Sequence, residues 1–156
     1  MFFVKSKQDV RVNIRYAISR DLPEVLAIEK ESSEFPWSKE DFVRCFRCLN
    51  CVGIVSEYDD RVVGFMLFAS SKTLIHILNL AVDPDYRHLG IGRQMVCRLI
   101  KRLSSQRLII TSIVSAKNLL AQLFFRTNGF RVTSFLRKFY KNPVQDACLM
   151  QYKLLG

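Results

Sequence analysis

The stretch Leu80-Ala-Val-Asp-Pro-Asp-Tyr-Arg-His-Leu-Gly-Ile-Gly-Arg93 gathers residue types that can hold an anion. An apolar run stops at Pro84, and Gly90 and Gly92, two apart, open a helical pattern. Glycines let a backbone approach its ligand, while free amides and the positive end of a helix dipole attract phosphate. Arg87, His88 and Arg93 would flank that site as cations. A dinucleotide fingerprint is excluded, because a third glycine is absent and no early acidic residue follows the next strand. A nucleoside-triphosphate P-loop is excluded too, since no Gly-Lys-Ser/Thr follows. A plain strand-to-helix turn satisfies the same spacing, and spacing alone leaves both readings open.

Two further groups could carry chemistry. His76 lies within the apolar run Thr73 to Val82 and shares one strand face with Leu78 and Leu80 by the period of two. Cys45-x-x-Cys48-x-x-Cys51 invites a zinc reading, yet a structural site normally needs four ligands and no fourth Cys or His is near in sequence. No metal is expected, and the three cysteines read as small buried residues.

The elements that must position these groups follow from pattern. Residues 10–17 alternate as a half-buried strand, and Asp21-Leu-Pro-Glu24 starts a helix that runs to about Lys30, with Asp21 as its cap. Ser38 starts a second helix with Phe42, Val43 and Phe46 on its apolar face. Cys51 to Glu57 and Val62 to Ala69 form a hairpin about Tyr58-Asp-Asp-Arg61. Thr73 to Val82 reads as a strand buried on both faces. From Gly90 to Leu103 the spacing is helical. Leu108 to Val114 is a strand, Asn118 to Asn128 a helix ended by Gly129, and Phe130 to Leu136 and Asp146 to Leu154 are the last strands. The order β-α-α-β-β-β-α-β-α-β-β predicts an α/β (α+β) domain, a mixed central sheet flanked by about four helices.

Composition fits one domain. The 156 residues are 49% hydrophobic and 24% charged, enough to bury a core and unlike a disordered chain. No apolar run reaches the ~18 residues of a membrane span, and Met1 to Gln8 lacks the apolar region of a secretory signal. Five cysteines suit a reducing cytoplasm better than a disulfide framework. Lys and Arg number 24 against 14 acidic residues, a net charge of +10 that calls for an anionic partner. No basic stripe interleaved with aromatics points to nucleic acid, and no membrane partner is expected.

Arg87-x-x-Gly90-x-Gly92 resembles the diphosphate-binding motif of the GNAT superfamily of acetyl-CoA-dependent N-acetyltransferases. Ile28-Glu29, Glu34-Phe-Pro-Trp-Ser38, Ala81-Val-Asp-Pro-Asp-Tyr86, and Asn118 eleven residues before Gly129-Phe130 are similar to its ribosomal-protein-alanine N-acetyltransferase group. The likeness runs from about Ile14 to Leu154, within a single 1–156 domain whose core is about 12–154. It implies the GNAT fold and transfer of acetyl from acetyl-CoA to a primary amine, a protein N-terminus foremost, by a monomer or homodimer. It implies that the backbone of Leu80, Ala81 and Val82 lines the pantetheine arm, with an amide polarising the thioester carbonyl. It further implies that the amides of His88, Leu89, Gly90, Ile91, Gly92 and Arg93 hold the diphosphate, beside Arg87, and that Asn118 binds the cofactor while also able to cap its helix.

Against that pattern, the group's Glu five residues before the helix Asn is Ile113 here, and the superfamily's Tyr seven residues after it is Phe125. Neither moves protons, and the reaction needs a base for the ammonium proton and an acid for the thiolate. Tyr140 matches a family Tyr in the loop before the last strand and is the candidate acid. His76 is the candidate base, with a water relay as the alternative. Two other functions stay open: a CoA-binding module with weak or lost catalysis, and a small-molecule amine acetyltransferase.

Overall fold

The computed structural model describes residues 8–155; most of the Met1 to Gln8 stretch, and Gly156, lie outside the described residues. Eleven elements follow one another: β1 (Asn13–Tyr16), α1 (Leu22–Ser32), α2 (Lys39–Arg47), β2 (Cys51–Tyr58), β3 (Arg61–Ser70), β4 (Leu74–Val82), α3 (Ile91–Ile100), β5 (Ile109–Ser115), α4 (Leu119–Thr127), β6 (Arg131–Lys141) and β7 (Val144–Lys153). Their order is the one that the hydrophobic pattern predicts. The strands form a seven-stranded mixed sheet in the order β1-β2-β3-β4-β5-β7-β6, with β4 and β5 parallel. No helix among the described residues is long and apolar enough to cross a membrane.

Residues pack as two compact units. The first takes the chain up to Leu67 together with Asn79–Arg98. Its centre holds Val25 and Ile28 of α1, Phe42 of α2, Phe65 of β3, and Ile91, Met95 and Val96 of α3, all nearly or fully buried. The α3 residues recur at i, i+4 and i+5, so one face of the helix supplies them. Ser38 caps α2 in a reciprocal box: its hydroxyl accepts from Asp41 N at 3.1 Å, and its own N–H donates to the Asp41 carboxylate at 2.9 Å.

Two expectations fail in this unit. β1 begins at Asn13 and not near Val10, because Val10 N donates to Leu89 O and Val12 N to the Gln94 side chain. Those backbone groups serve the segment before and within α3, so they cannot continue the β1–β2 ladder. Asp21 flanks α1 without capping it by its side chain. Its carboxylate instead takes two 2.7 Å bonds from Arg15 and one of 2.8 Å from Ile18 N. The Arg15 guanidinium holds this 3%-exposed carboxyl below the usual range.

The second unit comprises Phe68–Leu78 and Leu99 to Leu155. Ile75 and Ile77 of β4, Ile110 of β5, and Ala147, Cys148 and Met150 of β7 are buried at its centre. Helix α4 ends as the sequence predicts: Phe130 N bonds Phe125 O and Gly129 N bonds Arg126 O, with Gly129 left-handed at φ +91°. Phe125, Phe130 and Tyr152 then stack at centroid spacings of 5.0 and 5.7 Å. Strand β6 runs past the expected end at Leu136. Arg137 and Lys138 look like a loop in sequence, yet they form a bulge in which Lys138 is left-handed at φ +50° and donates its N–H to Asp146 at 2.8 Å. β4 also departs from an element buried on both faces: Ile75, Ile77 and Ala81 are buried, while His76, Leu78 and Leu80 are half-buried.

Candidate active site

The segment read as a candidate anion site lies wholly in the first unit. Strand β4 delivers Leu80, Ala81 and Val82, and Asp83 turns the chain with its N–H on Val63 O at 2.8 Å. A short 3-10 turn over Pro84–Tyr86 follows, its first carboxylate, Asp83, accepting from Asp85 N. His88 and Gly90 are both left-handed, at φ +63° and +78°. Alternation of handedness over such a short stretch turns successive amides towards one side, the geometry of an anion nest. The first intrahelical bond of α3 is Gln94 N to Gly90 O, so the amides of Ile91, Gly92 and Arg93 precede the helical ladder.

An anion already sits against this loop, supplied by the chain itself. A Cβ built on Gly90 would meet the Asp9 carboxyl at 2.6 Å, and Asp9 pairs with the Arg93 guanidinium. Gln94 fastens the same segment by donating to Val10 O at 2.7 Å and to Gly90 O at 3.1 Å. The loop therefore accepts a carboxylate where glycine leaves room, which is the property that a diphosphate needs. Arg87, expected to flank the site as a cation, also takes part in the bonding of the turn itself. Its guanidinium ties the turn together, donating to Val82 O at 3.2 Å and to Ser32 Oγ at 3.0 Å.

A buried carboxylate stands behind the same strand. Glu29 of α1, 2% exposed, accepts from the Asn79 side chain and from Trp37 N. It thereby joins β4 to the Phe-Pro-Trp-Ser segment between α1 and α2. Burial pushes its carboxyl above the usual range, partly offset by those two donors. The sequence did carry a signal for this pair: Glu29 shares the Val25–Ile28 face of an amphipathic helix, and Asn79 is a polar interruption in an apolar strand. We expect Glu29→Ala to destabilise the fold by about 1–3 kcal/mol, since it strands two donors. Glu29→Gln keeps an acceptor and removes the ionisation. Because the folded carboxyl titrates above the unfolded value near 4.5, its contribution is complete below that pH and is lost as pH rises through the raised value. Thermal melts across that window should show the Glu29→Gln variant gaining on the parent as pH rises; a parallel pair of curves would disprove the burial effect.

The remaining candidates lie in the second unit. His76 is half-buried, and its Nδ1 lies 2.7 Å from Thr111 Oγ1 of β5. Burial lowers its pKa below 6.5, which favours the neutral ring. Thr111 orients that ring, a partner that no spacing rule in the sequence announces. Asn118 caps α4, its Oδ1 accepting from Ala121 N at 3.0 Å. Ile113 pairs with Leu149, and Phe125 is buried in the aromatic stack, so both are packing residues.

Tyr140 stands on strand β6 after the bulge, opposite Gln145, and not in a loop. It is half-buried, rests edge-on against Phe139 at 5.0 Å, and burial raises its pKa above 10. The structure does not bring Tyr140 to His76. Thr111, beside His76, pairs with Gln151, whereas Tyr140 pairs with Gln145, six positions along β7 and about 20 Å of extended strand.

Among the described residues no cluster of His, Cys, Asp or Glu is placed to hold a metal. Cys45 is buried as expected of a small core residue, but Cys48 is exposed and Cys51 is half-buried. The reading of all three as buried is corrected accordingly: Cys48 caps the end of α2, where the chain turns outward into β2.

A strand that feeds a glycine loop and a helix N-terminus, set in this mixed sheet, is an arrangement that can hold a diphosphate-bearing ligand. The chain belongs to the GNAT acetyltransferase family: the family described as Acetyltransferase (GNAT) matches residues 22–130. It is 30% identical over 135 residues to the [ribosomal protein bS18]-alanine N-acetyltransferase of Salmonella typhimurium, which covers 83% of this chain and 89% of that one. Its fold matches the crystal structure of the ribosomal-protein-S18-alanine N-acetyltransferase from Escherichia coli with a TM-score of 0.82 at 24% identity, over 94% of this chain and 96% of the other. It also matches Arabidopsis thaliana NAA60 in complex with acetyl-CoA, with a TM-score of 0.79 at 21% identity, over 92% and 100%. The protein is thus an N-acetyltransferase that uses acetyl-CoA.

Proposed function

We propose that the acceptor is the α-amine of a protein N-terminus, of the kind that a ribosomal protein presents. The observation that carries this reading is the 30% identity to a ribosomal-protein-alanine N-acetyltransferase across most of both chains. The proposal places the enzyme in the cytoplasm, supported by five thiols that are all free.

Bound acetyl-CoA supplies the acetyl thioester. The backbone of Leu80, Ala81 and Val82 would lie along the pantetheine arm, and an amide there would polarise the thioester carbonyl. The amides of His88 to Arg93 would hold the diphosphate. In doing so they take over the place that the Asp9 carboxylate holds against Gly90. Asn118 has its oxygen committed to the cap, which leaves its amide nitrogen for the cofactor. His76, kept neutral by burial, would take the ammonium proton so that the amine attacks as a neutral nucleophile. Tyr140, kept protonated by burial, would return a proton to the departing thiolate.

The test is acetyl transfer to N-terminal peptides, lysine peptides, polyamines and aminoglycosides, read as CoA release, with melts in CoA, acetyl-CoA and NAD. We expect turnover on N-terminal peptides beginning with Ala and a gain of about 2.7 kcal/mol at ligand near 100 times Kd, with no response to NAD. Stabilisation by CoA with no turnover on any acceptor would instead establish a binding module, and turnover on polyamines alone a small-molecule enzyme.

A further inference from the structure

Cys45, Cys48 and Cys51 are drawn together by two consecutive turns away from the anion loop. Cys48 N donates to Cys45 O at 3.1 Å, and Cys51 N donates to Cys48 O at 3.2 Å. Each bond closes a four-residue turn, whose end Cα atoms are less than ~7 Å apart. A disulfide spans Cα separations of about 4.4–6.8 Å, so the backbone already holds the cysteines at bridging distance. Exposure separates the three. Cys48 is open to solvent, Cys51 is half-buried, and Cys45 is buried against the core. Cys48 is the C-cap of α2, whose last turn carries Arg44 and Arg47.

We propose that Cys48 and Cys51 form a thiol–disulfide site, in which Cys48 is the thiol that attacks a hydroperoxide and Cys51 is the thiol that resolves it. In the first step the Cys48 thiolate displaces one oxygen of hydrogen peroxide; an S–O bond forms, the O–O bond breaks, and hydroxide leaves. Sulfur is oxidised and peroxide is reduced. In the second step Cys51 attacks the Cys48 sulfenic sulfur; the S–S bond forms, the S–O bond breaks, and the thiol proton leaves with the hydroxyl as water. The protonation pattern suits these roles. Donation from Asn50 N and from the Cys51 thiol lowers the Cys48 pKa, whereas burial and its role as donor push Cys51 up to about 12. A lowered thiol that is exposed reacts first, and the thiol at the other end of the same turn follows.

The full-length protein treated with a small excess of hydrogen peroxide, then alkylated and peptide-mapped, tests this. The expected result is a Cys48–Cys51 linked peptide about 2 Da lighter than its dithiol. The five titratable thiols should fall to three, because two enter the bridge, and dithiothreitol should restore them. Cys48→Ser, at an exposed position, should abolish the bridge, whereas Cys51→Ser should leave a Cys48 sulfenic acid that dimedone traps. Cys97, an exposed thiol on α3, serves as the internal control, and Cys97→Ser should leave the bridge unchanged. A bridge through Cys45, or oxidation of Cys48 to the sulfinic acid with Cys51 still free, would overturn the assignment. So would oxidation of Cys97 as fast as Cys48.

Discussion

With His76 as the proposed base, a His76→Ala enzyme is expected to turn over ~10²–10⁴-fold more slowly than its parent while binding CoA almost as tightly, because a positioned base contributes a factor of that size. The same substitution should remove the acidic limb of the kcat/KM profile. That limb should lie below pH 6.5 in the parent, since burial lowers the His76 pKa and the base acts only when unprotonated. Tyr140→Phe is expected to lower kcat by a similar factor with cofactor affinity intact, and to act on the alkaline side, above the ordinary 10. Steady-state kinetics over pH decide between the two. Full activity in Tyr140→Phe would return Tyr140 to packing on Phe139, in keeping with its distance along β7 from His76. Full activity in both variants would hand the proton to water and leave the amides of β4 as the main catalytic contribution.

Gly90→Asp should weaken CoA binding at least about tenfold, or 1.4 kcal/mol. Three effects act in the same direction. A side chain at φ +78° costs roughly 1–2 kcal/mol of backbone strain, its Cβ enters space held by Asp9, and its charge repels phosphate. Gly90→Ala carries the first two without the charge and should fall between. Asp9→Asn should move the other way. It releases Arg93 from a solvent-exposed ion pair of the sort that measures about 0.2–1 kcal/mol, so CoA should bind up to about fivefold more tightly. Calorimetry with CoA reads all three, and an unchanged affinity in a folded Gly90→Asp variant would sink the cofactor assignment.

Element order was legible because each segment has one strong periodicity and a clear stop: Pro84 after β4, Gly129 after α4, Ser38 before α2. What was not legible depends on partners distant in sequence. The length of β1 is set by Leu89 and Gln94, about eighty positions away, and not by its own alternation. Tyr140 looked like a loop residue because a bulge places two cations, Arg137 and Lys138, in mid-strand. In the candidate site, the glycine spacing announced the loop, but nothing announced that Asp9 would occupy its glycine face. His76 was visible as a polar residue in an apolar strand, whereas Thr111 beside it is one of several hydroxyls in β5.

Trp37 is the chain's one tryptophan. Its indole stands 5.3 Å from the Phe42 ring, and its backbone N–H is held by Glu29, so the chromophore is fixed at the connection between α1 and α2. Excitation at the red edge of protein absorption therefore interrogates this segment alone. An intrinsic emission signal, free of any dye, follows whatever binds or loosens there. Quenching by acrylamide would grade its accessibility, and acidification through the Glu29 titration should shift the emission maximum as the carboxylate that grips the Trp37 amide becomes neutral.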